Sequence, residues 1–150
     1  MSYFPFFREI EGEKCLVIGG GKVAARKISR LKEFGVKIKV VAPSIVSDIE
    51  AMAQACDNIS VERRIITPQD IENADFVIAA AGEEADKEAA RLCKERSIPV
   101  NVVDNQELCD FIFPSIIRKG DMVAGFVTGG KSPHVAAKIR RDCEMNISDN

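Results

Sequence analysis

Gly19-Gly20-Gly21-Lys22-Val23-Ala24 is the densest chemical signal in the chain. It has the spacing G-x-G-x-x-A and follows the apolar run Cys15-Leu16-Val17-Ile18. A strand that ends in such a turn and feeds a helix can cradle a dinucleotide pyrophosphate. Gly19 would permit the tight turn, Gly21 would let backbone approach the phosphates, and Ala24 would let the helix pack closely on the sheet. The helix start at Lys22 and Val23 supplies unpaired N–H groups and the positive end of the helix dipole. The alternative is close packing of helix on strand with no ligand.

The acid that usually holds an adenosine ribose lies about 20 residues further on, at the end of the second strand. Here that stretch reads Lys39-Val40-Val41-Ala42-Pro43-Ser44, and the first acid is Asp48. Contacts to the adenosine would fall to the backbone of Pro43 and the hydroxyl of Ser44. The same stretch has no arginine for a 2′-phosphate, which favours NAD over NADP.

Asp104 closes the apolar run Pro99-Val100-Asn101-Val102-Val103. An acid beyond the carboxyl end of such a strand is well placed as a general base. Asp104-Asn105 also suits a turn, and the spacing does not decide between the two. His134, the single histidine, reads as a surface residue. Tyr3 is the single tyrosine, so a Tyr-x-x-x-Lys dyad is excluded.

These residues need elements to hold them. Lys22 to Phe34 has helical spacing, with Gly35 at the C-cap position. Strands are predicted over 36–41, 59–63, 75–81 and 99–103. Ser44 is placed to cap a helix running to Ala55, and Thr67-Pro68 to open another. Glu83 to Arg96 reads as a helix with Ala85, Ala89, Leu92 and Cys93 inward. Continuous apolar strands alternating with helices predict a Rossmann-type, doubly wound parallel α/β sheet. After residue 112 the pattern changes. Runs 113–118 and 122–127 flank Lys119-Gly120-Asp121 as a β-hairpin, and Ser132-Pro133 opens a last helix. The expected division is 1–112 and 113–150.

Composition sets the outer limits. The chain has 150 residues, 46% hydrophobic and 29% charged, with net charge −2. That excludes a disordered chain and a globally basic nucleic-acid binder. Within Ser115–Arg141, however, Arg118, Lys119, Lys131, Lys138, Arg140 and Arg141 face a single acid, Asp121, for a local net of +5. Such a run is a solvated face or a site for a polyanion. Five cysteines with no C-x-x-C pair argue against a disulfide framework or a zinc site, and reduced thiols fit the cytoplasm. Neither a signal peptide nor an apolar run of the ~20 residues that cross a membrane is expected.

Taken together, the sequence resembles the precorrin-2 dehydrogenase family, the NAD-binding part of siroheme synthase. The matching segments are Phe4 to Phe7, Val17 to Ala24, Arg26-Lys27, Val41 to Pro43, Asn101 to Asp104, Phe111 to Ile117 and Thr128 to Pro133. The resemblance implies an NAD-binding Rossmann domain followed by a hairpin-plus-helix dimerisation region in a homodimer. It implies oxidation of precorrin-2 to sirohydrochlorin, with Asp104 as the key acid. It suggests Ser115, Thr128, Lys131, Lys138 and Arg140 as contacts for the carboxylates of the tetrapyrrole. Some members also insert iron. The helical domain that follows in relatives has no counterpart here, so ferrochelatase activity is expected to be residual at most. Two other classes stay open: a non-catalytic NAD-binding regulatory module, and a chelatase or tetrapyrrole carrier without dehydrogenase activity.

Overall fold

The computed structural model describes residues 3–129 and 133–147. Through residue 102 strands and helices alternate: β1 (Lys14–Ile18), α1 (Lys22–Leu31), β2 (Lys37–Val41), α2 (Ser47–Ala55), β3 (Ile59–Glu62), α3 (Pro68–Glu72), β4 (Phe76–Ala79), α4 (Glu83–Glu95) and β5 (Val100–Val102). All five strands pair in parallel in the order β3-β2-β1-β4-β5. The order reverses between β1 and β4, which opens a crevice at the carboxyl edge between them.

Strand periodicity assigns the two faces. Leu16, Ile18, Val41, Val77, Ala79, Val100 and Val102 form one apolar cluster with Ile71 of α3 and Ala89, Ala90, Leu92 and Cys93 of α4. On the other face, α1 packs on β1 and against α2, with Ala24, Ile28 and Ile49 fully buried. Burial lifts the Cys93 thiol to about 11 and Cys15 higher still, so both behave as small hydrophobes.

One polar network is buried with this core. Thr67 precedes Pro68 at the first position of α3, and its N–H donates to Asp70 at 2.8 Å. The Asp70 carboxylate, 5% exposed, also accepts two bonds from the Arg64 guanidinium at 2.7 Å and one from Lys39 Nζ at 2.9 Å. It joins β2, α3 and the loop after β3. The Arg64 hydrogen bonds, foremost, hold this carboxyl far below the ordinary carboxylate range.

The chain divides into two compact units, Arg8–Phe111 and a second made of Ile112 onward with the N-terminal segment through Phe7. That segment, which the sequence places with the first unit, groups with the second. The second unit contains β6 (Ser115–Lys119), β7 (Met122–Phe126) and α5 (Pro133–Asn146). β6 and β7 pair antiparallel in the register Ser115↔Phe126, with Gly120 at φ +55° in the turn. Lys119 Nζ donates to the Ile147 carbonyl at 2.8 Å, fastening the strand to the chain just beyond α5.

Two local expectations are corrected. Ser44 does not cap α2: the helix starts at Ser47 with Val46 as cap, because the preceding residues are drawn onto the glycine turn by Val46 N–H donating to the Gly20 carbonyl at 2.9 Å. On α4 the inward position is Asp86 and not Ala85, which is exposed.

Asp70→Ala should destabilise the protein by about 2 kcal/mol, from the lost cap and the broken part-buried ion pairs. The depressed carboxyl stabilises the fold above its unfolded value of about 4, and this contribution fades as pH falls toward the folded value. Urea denaturation should therefore show the wild-type advantage at pH 7 shrinking steadily below about pH 4.

Candidate functional site

The three glycines of the turn have three different surroundings. Gly19 has φ +114°, and a Cβ there would lie 2.2 Å from the Ala80 carbonyl oxygen at the end of β4. Gly20 has its would-be Cβ 2.1 Å from the Ser44 carbonyl oxygen. Gly21 has φ −87°, extended backbone open to any residue, and an added Cβ would meet nothing within 4 Å. Neither conformation nor protein packing requires glycine at Gly21. The open space above it is what a closely approaching ligand would use, so the residues present fit a dinucleotide pyrophosphate.

Gly21 is also the N-cap of α1, with no side-chain cap and no acid in the first turn. The N–H groups of Lys22, Val23 and Ala24 thus start a helix whose positive end no carboxylate neutralises. Ala24 is fully buried, as close helix packing requires, whereas Val23 is 37% exposed and turns to the crevice.

A cavity of about 500 Å³ lies at the same edge, lined among others by Val23, Ala80, Asp86, Val103 and Asp104. Asp104 is exposed and sits at φ +60°, one of two non-glycine residues among those described with left-handed backbone. Aspartate tolerates that conformation better than most residues, and such strain concentrates at functional loops. Lys87 borders the cavity but is engaged by Glu83 at 2.7 Å.

The sequence reading assigned no role to Asp86, or to Lys27 and Asn101, which enter it only within matching segments. Asp86 is 4% exposed and accepts N–H bonds from Ala81 at 2.8 Å and Gly82 at 3.2 Å. Burial raises its pKa, the two N–H bonds oppose that, and Asp104 adds to the rise. Asn101, on β5, takes a hydrogen bond from Lys27 Nζ at 2.9 Å and gives one to the Phe111 carbonyl at 2.9 Å. Asp86 stands in the first turn of α4, where its carboxylate reaches back to the N–H groups before the helix. The Lys27–Asn101 contact spans 74 positions and leaves no local trace.

At the end of β2, Pro43 and Ser44 are exposed, and the Ser44 carbonyl faces Gly20. The sheet also brings an arginine to this end that the sequence of β2 does not contain. Arg63 follows β3 and is ion-paired with Glu50 of α2.

The remaining candidates belong to the second unit. Ser115 starts β6 and Thr128 follows β7, so both stand at the open end of the hairpin. Lys138 is exposed on α5, Arg140 is half-buried and ion-paired with Glu144, and His134 is exposed. Lys131 lies outside the described residues, as does Ser132, the expected cap of α5. Among the described residues no group of three His, Cys, Asp or Glu side chains is arranged for a metal ion, and no helix is long and apolar enough to cross a membrane.

A family model for NAD(P)-binding domains matches residues 6–115. The chain belongs to this NAD(P)-binding family. It is 38% identical to a siroheme synthase from Nitrosomonas eutropha and 39% identical to one from Thioalkalivibrio sulfidiphilus, over 98% of its own length in both cases. It spans only 31% and 30% of those two proteins, about a third of their length. Among solved structures, SirC, a precorrin-2 dehydrogenase, superposes with TM-score 0.77 at 23% identity, over 97% of this chain and 72% of that one. The likeness to SirC establishes the shared Rossmann-type fold with its small hairpin.

The glycines separate folding from binding. Gly19→Ala should cost about 2 kcal/mol or more of stability, from backbone strain and collision with Ala80. Gly21→Ala should keep its stability within about 0.5 kcal/mol, yet weaken dinucleotide binding about tenfold or more. Thermal unfolding and titration calorimetry on the two variants would measure both effects.

Proposed function

We propose that this protein is an NAD-dependent precorrin-2 dehydrogenase, oxidising precorrin-2 to sirohydrochlorin in the cytoplasm. The observation that carries this reading is Asp104, in left-handed backbone on a cavity that Val23, at the start of α1, also lines. The relatives named siroheme synthase and the fold shared with SirC support it. The regulatory-module alternative gives no reason for a strained acid at this place.

In the mechanism, the glycine turn and the start of α1 would hold the pyrophosphate, and Pro43 and Ser44 would border the adenosine. NAD, when bound, accepts a hydride from the substrate. Asp104 takes the accompanying proton on a carboxylate oxygen, so two electrons and two hydrogens leave together. Ser115, Thr128, Lys131, Lys138 and Arg140 would contact the substrate carboxylates. Preference for NAD over NADP is supported by the end of β2, which carries neither an arginine nor a lysine after Lys39.

We also propose a homodimer built on the second unit. This unit exposes Phe4, Phe6, Phe7, Val127, Ile139 and Met145, an apolar set that a second copy could cover. Sedimentation should give a dimer, and Phe6→Asp with Met145→Asp should shift it toward monomer.

The decisive experiment is NADH formation with precorrin-2. Wild-type protein should turn over with NAD and more slowly with NADP. Asp104→Ala should lose about 100-fold or more in kcat while binding NAD normally. A wild-type protein that binds NAD without turnover would overturn the dehydrogenase reading. NAD-independent metal insertion would then favour the chelatase.

A further inference from the structure

The loop between β5 and Phe111 is closed at its base and braced from inside. Val100 N–H donates to the Asp110 carboxylate at 3.0 Å, and Asp110 N–H returns a bond to the Val100 carbonyl at 2.9 Å. Asn101 Nδ2 bonds the Phe111 carbonyl, and the Phe111 ring stacks edge-on to Phe76 with centroids 6.1 Å apart. Inside the loop, Cys109 Sγ accepts from Val102 N–H at 3.2 Å and donates to the Asn105 carbonyl at 3.3 Å. Asp104 is carried on this loop.

One side chain reaches the base of the loop from the cofactor helix. Lys27 lies on α1, five residues beyond its start, and its Nζ donates to Asn101 Oδ1 at 2.9 Å. Burial, with the neighbouring Arg26 charge, lowers its pKa to about 8, against the opposing pull of Cys109 and Asp104. Burying an ammonium costs free energy that an apolar side chain of equal length would not. The contact is therefore a poor way to fill space and a good way to fix a position.

We propose that Lys27 is a positioning residue that fastens the cofactor-binding helix to the loop carrying Asp104. The acid is thereby held at a set place relative to the pyrophosphate end of α1. This rests on the reading of Asp104 as the base of the reaction. Small displacements of such a group cost heavily in rate.

The test compares wild type, Lys27→Met and Lys27→Arg in three measurements. Amide hydrogen exchange should quicken about tenfold over residues 102–110 in Lys27→Met, and stay at the wild-type rate in β1 and β4. Calorimetry should give NAD affinity within about twofold of wild type, since the phosphate cradle is untouched. With precorrin-2, kcat should fall up to about 100-fold with little change in KM. The wild-type profile should decline above about pH 8 as Lys27 loses its proton, facing Arg26, Asp104 and Cys109, and Lys27→Met should lack that limb. Lys27→Arg should restore loop protection and part of kcat.

Wild-type exchange and kcat in Lys27→Met would overturn the proposal. So would exchange that quickens across the whole sheet, which marks a general structural role. If no protein, wild type included, turns over precorrin-2 while the loop-confined change persists, the fastening stands and the assigned activity fails.

Discussion

The close approach of Gly19 to the end of β4 is the constraint on which the site depends. The parallel order places β1 beside β4 where the crossovers diverge, so the turn after β1 must pass directly over the Ala80 carbonyl. No side chain fits in that gap, and the positive φ turns the chain sharply into α1. The next residue meets the loop after β2, and Val46 is tied back to it. With two sides of the turn closed by protein, Gly21 is left facing open space. The cradle is thus what remains when two packing contacts have been satisfied.

α1 carries both the glycine turn's helix start and Lys27. Its first turn presents N–H groups toward the crevice, and its second presents Lys27 to β5. A helix is a suitable carrier for such a pair, because its internal hydrogen bonds fix the rise between the two positions. The Asp104 loop is irregular, but it is bounded by β5 and by Phe111 against Phe76, both parts of the sheet unit. An acid on a short, internally bonded loop can hold a strained backbone that a free loop would relax.

Much of this was legible in the residues. The apolar strands, the glycine turn and the Thr67-Pro68 helix start use local rules, and the structure follows them. Gly35 ends a 3-10 turn over Lys32–Phe34, because α1 itself stops at Leu31. Ser44 failed as a cap because a tertiary bond between Val46 and Gly20 moved the helix start, which no local rule contains. Ala85 and Asp86 were exchanged because an alanine inward looks safer than an acid, until two loop N–H groups are seen to satisfy the carboxylate. Asn101 opens a segment that carries the resemblance, but no local rule assigns its side chain a role. Its buried amide acquires meaning only when α1 is laid across it.

Of the helices that begin at the carboxyl edge, α1 and α4 follow the two strands that flank the crevice, and their electrostatics differ. α4 begins with Glu83, Glu84 and Asp86, and Asp86 has already taken the N–H groups of Ala81 and Gly82. A phosphate there would meet three carboxylates and few open donors. α1 begins with Lys22, has no acid in its first turn and has no side-chain cap. The macrodipole attracts an anion at both helices, but only at α1 is that attraction left uncancelled. A pyrophosphate would therefore be favoured at the glycine turn by the absence of a cap at one helix as much as by the acids at the other. The acids at α4 disfavour a phosphate at the neighbouring end of the crevice and would suit the cationic reacting ring of an oxidised dinucleotide there.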